Sequence, residues 1–224
     1  MDNRRIWLRL GGVLAAAAVC TGGAAVVSDR AQEAKNVQTA FLGAMETQMQ
    51  IGCYPSETGS PADLTERERT ELQTAYTSRV EQYYTEENPC RKRYIALNED
   101  FLTACDSDVE YSESGGVADC RFDSVRLYAD RMTAVVQAQT VVWDKRISGN
   151  PEQGFSVELP VNRDTITATM KKENGVWKLD SIDSQISLSA DNTVCRERYP
   201  TFETARQAAD RIDDQAYIKE ARFS

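Results

Sequence analysis

Residues 165–182 read Thr-Ile-Thr-Ala-Thr-Met-Lys-Lys-Glu-Asn-Gly-Val-Trp-Lys-Leu-Asp-Ser-Ile. Ile166, Ala168 and Met170 alternate with Thr165, Thr167, Thr169 and Lys171. After Asn174-Gly175, Trp177 and Leu179 share one face, and Lys178 and Asp180 take the other. An Asn-Gly pair between two alternating runs is a hairpin signal, because a type I′ turn needs positive φ at both central residues. This stretch predicts the last hairpin of a curved antiparallel sheet.

Upstream, Met132–Lys145 alternates over a long strand, with Ala134, Val136, Ala138, Thr140 and Val142 on one face. Ala118–Tyr128 predicts another strand, with an irregularity between Phe122 and Val125, and Ala129-Asp130-Arg131 is the tight connection. Gly149-Asn150-Pro151 opens a loop, Phe155 and Val157 suggest a short strand, and Gln185–Leu188 extends the hairpin. The acid-rich run Asp106–Gly116 reads as a solvated loop. It lacks the glycine and the closing glutamate of a calcium-binding EF-hand loop.

Helical periodicity fills the first half. Asp29–Cys53 repeats Val37, Phe41, Met45 and Met49 four apart. Thr65–Asn88 opens on a Thr65/Glu68 capping box and carries Leu72, Tyr76, Val80, Tyr83 and Tyr84 as a stripe. Arg91–Ala104 is shorter, and Asn88-Pro89 separates the two. At the far end, Phe202–Ala221 predicts a single helix with a thin alanine stripe, one that packs lightly or meets a partner.

Residues 1–27 read as a targeting segment. Arg4, Arg5 and Arg9 precede eighteen uncharged residues, Leu10–Val27. Such a run fits a membrane anchor with the body outside the cytoplasm. It also fits a signal peptide cut near Gly22, Ala24 or Ala25, or a lipid-modified Cys20. The anchor is preferred because no single cut site stands out. Residues 28–192 then form the folded domain and 193–224 a helical extension.

The net charge is −9, and residues 1–27 contribute +2, so the body carries −11. An acidic body excludes nucleic acid as a partner and disfavours charge-driven docking on anionic lipid. The chain has no histidine, which removes Ser-His-Asp and Cys-His catalysis. No P-loop, dinucleotide turn or nucleophile elbow occurs, so no cofactor is expected. Cys53, Cys90, Cys105, Cys120 and Cys195 follow the membrane segment without a C-x-x-C pair. Outside the cytoplasm they are candidates for disulfides, with Cys105 and Cys120 spaced for a local staple and Cys195 left over or paired with Cys90.

The order of helices first, then an antiparallel meander ending on Asn174-Gly175-Val176-Trp177-Lys178-Leu179, resembles the NTF2-like superfamily. The resemblance implies an α+β cone whose curved sheet wraps the helices. It also implies an interior pocket, for which Tyr76, Tyr83, Tyr84, Tyr94, Trp143 and Trp177 are the candidate lining. No carboxylate falls on a catalytic motif of that superfamily. With a single N-terminal span, the organisation is similar to its non-catalytic envelope members, the single-pass proteins of secretion and conjugation channels and the accessory domains of cell-wall proteins. The expected function is therefore non-enzymatic contact with an envelope protein or another copy. A small-molecule or isomerase-like cone and a structural lipoprotein are the alternatives.

Overall fold

The Asn-Gly turn forms as its chemistry requires. Asn174 and Gly175 take φ of 51° and 82° in the computed structural model. The model describes residues 29–53, 64–103, 109–190, 197–219 and 222–223. The turn joins β4 (Val161–Glu173) to β5 (Val176–Ala190), named here in chain order. Before them come α1 (Asp29–Gln48), α2 (Glu66–Tyr83), α3 (Pro89–Thr103), β1 (Val109–Leu127), β2 (Thr133–Asn150) and β3 (Gly154–Glu158). Two short helices, α4 (Phe202–Ala209) and α5 (Asp214–Lys219), follow.

The sheet is antiparallel, in the order β1-β2-β4-β5. β3 pairs with the end of β2 over residues 146–150, on the edge that β4 occupies over 133–143. β3 and β4 are thus two lengths of one edge, broken at Leu159-Pro160, where Pro160 O still accepts from Asp144 N (3.2 Å). The meander has five strands, the short β3 among them.

Bulges curl this sheet. In β1 the residues Glu113, Ala118 and Asp123 have no partner of their own on β2. In β5, Asp180 is the extra residue between Leu179 and Ser181. A bulge bends its strand and increases twist. It also resets which side chains face inward, which is why Trp177 and Leu179 are followed inward by Ile182 rather than Ser181.

α1 lies along the concave face and buries Val37, Phe41, Ala44 and Met45 against Val136, Ala138, Ile166, Ala168 and Met170. α2 closes the layer with Tyr76 and Val80. Its capping box is in place: Thr65 Oγ1 accepts from Glu68 N, and Glu68 Oε2 accepts from Thr65 N (2.9 Å). Beyond α2, Leu179 O accepts from both Thr85 N (3.0 Å) and Asn88 Nδ2 (3.1 Å), which sutures the helical layer to β5.

The opposite face is covered at one end by α4 and α5. Ala205 and Ala209 pack with Tyr111, Ile147, Phe155 and Val157. Ile218 covers Val141 and Val161. Phe202 meets Tyr111 and Phe155 edge-on, at centroid distances of 5.4 and 6.0 Å.

Three expectations are corrected. α1 stops at Gln48 rather than Cys53, because the chain turns at Gly52, φ 70°, whose N–H donates to Asn98 Oδ1 (2.9 Å). Residues 109–116 are strand, not loop, held by register with β2. The single C-terminal helix is two, because the buried Lys145 Nζ takes Ala209 O (3.4 Å) at the end of α4 and Asp214 (3.1 Å) at the start of α5. Residues 1–28, which include the expected targeting segment and Cys20, and Cys105 and Cys195, lie outside the described residues. Among the described residues no helix is long and apolar enough to cross a membrane.

The hairpin tip is tied to α1 by one carboxylate. Glu33 Oε2 accepts from Trp177 Nε1 (2.7 Å), and Oε1 accepts from Lys172 Nζ (2.9 Å). These hydrogen bonds, from Lys172 first and then Trp177, hold the Glu33 carboxyl below its ordinary range. A depressed carboxyl stabilises the fold above its unfolded pKa and stops doing so as pH falls through the folded one. Glu33→Gln is expected to cost about 1–2 kcal/mol at pH 7. In urea melts, the gap to wild type should close as pH falls below about 4. A gap that stays constant into acid would refute this role.

Candidate functional site

At the far end of α1 from the hairpin tip, four polar side chains from three parts of the chain converge. Cys53 follows α1 and bridges Ser112 of β1. Its Sγ lies 3.2 Å from Ser112 Oγ. The Ser112 hydroxyl donates to Asp144 Oδ1 on β2. Arg146 Nε (3.0 Å) and a terminal guanidinium nitrogen (2.8 Å) meet Asp144 Oδ2. Asp144 and Arg146 are neighbours on one face because strand side chains repeat every second residue.

Ser112, Asp144 and Arg146 floor a cleft of about 180 Å³, walled by Gln48, Met49 and Ile51 after and at the end of α1 and by Leu97 and Phe101 of α3. Asn98 fixes that wall: it accepts from Gly52 N and donates to Gln73 Oε1 (2.6 Å) of α2. Burial above all pushes the Cys53 thiol up to about 12; the Ser112 contact opposes this and the Asp144 charge adds to it. Cys53 is therefore a protonated donor rather than a nucleophile. The network clamps α1 to the sheet, with donors directed at one carboxylate.

A second carboxyl lies inside the cone. Glu46 Oε1 accepts from Val117 N (3.1 Å). Its Oε2 has no hydrogen-bond partner and occupies space left by Gly116, where a Cβ would stand 2.7 Å away. Burial raises the Glu46 pKa, opposed by the Val117 hydrogen bond and by the nearby Arg79 charge. Gly115 similarly lets Met49 O approach to 2.5 Å of where a Cβ would sit.

A third cluster lies under α4 and α5. Lys145 pairs with Glu113 (3.2 Å) and Asp214 (3.1 Å), with the lysine and glutamate side chains nearly inaccessible. Burial above all raises the Glu113 pKa; Lys145 opposes the shift, and a hydrogen bond in which the protonated Glu113 carboxyl donates to Asp210 adds to it. The bulge at Glu113 turns this carboxylate toward Lys145 rather than solvent.

None of the six candidate pocket aromatics lines the cleft. Tyr76 donates to Thr47 O (3.2 Å) and Tyr84 to Ala44 O (2.8 Å), so both phenols tie α2 and its end to α1. Burial raises both phenol pKa values. Tyr94 stands edge-on to Tyr84 at 5.6 Å, and the Tyr83 ring fills the space beside Gly43. Trp177 is in the main core, and Trp143 belongs to the outer cluster with Val141 and Val161. Cys53, Cys90 and Cys120 are free thiols here. Arg91 pairs with Glu81 of α2 (3.0 Å).

Among the described residues no group of three or more Cys, Asp or Glu is arranged to hold a metal ion. Sequence reading passed over Glu46, Ser112, Asp144 and Arg146. The available signal was the Gly115-Gly116 pair, since glycine within a strand marks close approach of another group.

No protein-family model and no curated protein matches the chain. Two solved structures are similar to it. One is the intermembrane space region of the chloroplast protein ARC6, 15% identical over 70% of this chain and 96% of that one, with a TM-score of 0.40. The other is a scytalone-dehydratase-like protein from Novosphingobium aromaticivorans DSM 12444, 12% identical over 77% and 95%, with a TM-score of 0.37. Neither similarity bears on what this chain does.

Two outcomes follow for the reduced protein. Burial also pushes Cys120 up to about 12. Cys53 and Cys120 should alkylate at pH 8 at least about a hundredfold more slowly than an unperturbed thiol. Peptide mapping before and after unfolding reads this. Glu46 holds its proton longer folded than unfolded, so wild-type stability falls as pH rises through that window. Glu46→Gln should be at least as stable as wild type at pH 7, with the difference shrinking toward about pH 4. A less stable variant at pH 7 would refute the assignment.

Proposed function

We propose that this chain is a membrane-anchored, extracytoplasmic domain of the NTF2-like type that works by protein contact, with an envelope partner or another copy, rather than by turnover. The observation that carries the reading is the filled cone. Phe41, Val80, Tyr84, Met170 and Leu179 are essentially inaccessible in its interior. The phenols of Tyr76 and Tyr84 are spent on main-chain carbonyls. The cleft beside Asp144, about 180 Å³, falls short of the roughly 300–1,000 Å³ typical of small-molecule sites. The Asp144 charge is engaged by Arg146. The uncharged run 10–27 behind three arginines supports the anchor and the outward orientation. A role among secretion, conjugation or cell-wall accessory proteins follows from that topology.

Chemical crosslinking in intact cells, followed by purification from the membrane fraction, tests the proposal. The expected result is a reproducible adduct with an envelope protein or a second copy. Monomer at saturating crosslinker, together with a small molecule that copurifies, would overturn it in favour of a ligand-binding cone.

A further inference from the structure

The large apolar side chains exposed among the described residues are Tyr128, Met132 and Val176, at 48%, 47% and 50%. Isolated exposed apolar residues are ordinary on soluble domains. Here all three share one end of the sheet. Tyr128 and Met132 flank the β1–β2 turn, and Val176 follows the β4–β5 turn. The turns are adjacent, since Lys172 N donates to Met132 O (2.8 Å) and Val176 pairs with Glu173. The β1–β2 tip is firm: Asp130 accepts from Met132 N and Thr133 N, and Arg131 N donates to Tyr128 O.

The same end receives the chain from the uncharged segment. Glu33, bound to Lys172 and Trp177, stands one turn into α1, about 6 Å along the axis from Asp29. The uncharged run ends at Val27, two residues before α1 begins. Charges at this end are mixed in sign, and the exposed Asp130 and Arg131 stand side by side in the β1–β2 turn itself. Lys171 pairs with Asp180, Lys172 with Glu33 and Lys178 with Glu173. The exposed Glu86-Glu87 turn lies on the flank, where Glu86 N meets Glu173. A surface of this kind is not drawn to anionic headgroups. It suits apolar contact with the interfacial zone of a bilayer, where tyrosine in particular is at home.

We propose that the sheet end bearing Tyr128, Met132 and Val176 rests against the lipid bilayer, so that the domain stands on the membrane by its two hairpin tips. This rests on the anchor reading above. α1 then rises away from the bilayer over about 30 Å, and the Asp144 cleft and α4 face outward.

The test uses the full chain in phosphatidylcholine vesicles, with the photoreactive residue p-benzoylphenylalanine at Tyr128, at Val176 or, as the distal control, at Glu152 in the β2–β3 turn. Lipid adducts at the first two positions and background at the third are expected. With a probe at Met132, Tyr128→Ser combined with Val176→Ser should lose adducts several-fold. Tip probes that capture no more lipid than Glu152, in a chain that resists alkaline extraction from the vesicles, would overturn the tip contact and leave the anchor standing. A chain released by alkali would overturn both.

Discussion

A flat sheet cannot enclose a helix, and the curvature that lets this one do so comes from single extra residues. Glu113, Ala118 and Asp123 in β1 and Asp180 in β5 each interrupt the one-to-one pairing. Each also gains a contact. Glu113 reaches Lys145, and Ala118 packs against the cluster of Val141, Val161 and Ile218. Asp123 accepts from Gln139 (3.3 Å), and Asp180 holds Thr85 (3.1 Å) and Lys171 (2.9 Å). The irregularities that bend the sheet thus fix its two covering layers to it.

α1 is the axis of the result. One end is held by Glu33 to the hairpin, and the other by the Cys53-Ser112-Asp144-Arg146 clamp to β1 and β2. Between them the concave face is filled mainly by apolar side chains, and among the described residues Glu46 Oε2, Thr140 Oγ1 and Asp164 Oδ1 are buried on it without a hydrogen-bond partner. The two ends of the axis differ: one carries the hairpin tips with Tyr128, Met132 and Val176, the other a polar cleft between α1, α3, β1 and β2.

The hairpin, the long strand and the helical stripes were legible because each follows a local rule of spacing. Ile166, Ala168 and Met170 are buried where alternation placed them, and Thr65 caps where its motif placed it. The first half of β1 was not legible. Its glycines and acids imitate a loop, and the reasons for them, Met49 O and Glu46, lie some seventy residues earlier in the chain. The break between α4 and α5 is set by Lys145, 64 residues from Ala209, which no local pattern records. Of the six aromatics expected to line a pocket, Tyr76, Tyr83, Tyr84, Tyr94 and Trp177 pack with the main core, whereas Trp143 sits in the outer cluster with Val141 and Val161; periodicity cannot distinguish lining from filling. The clamp at Asp144 was invisible for the same reason as the break: its members meet only through strand register.

The separation between Lys145 and its later partners has a temporal meaning. A polypeptide made from its N-terminus completes all five strands before α4 and α5 exist. During that interval Val141, Val161 and Ile147 lack their cover, and Lys145 and Glu113 have only each other and water. Arrival of the last helices expels that water and closes the outer layer. Burial of that surface is therefore tied to synthesis of residues 202–219, and a chain stalled before residue 202 would present an apolar sheet surface to whatever quality-control machinery surrounds it.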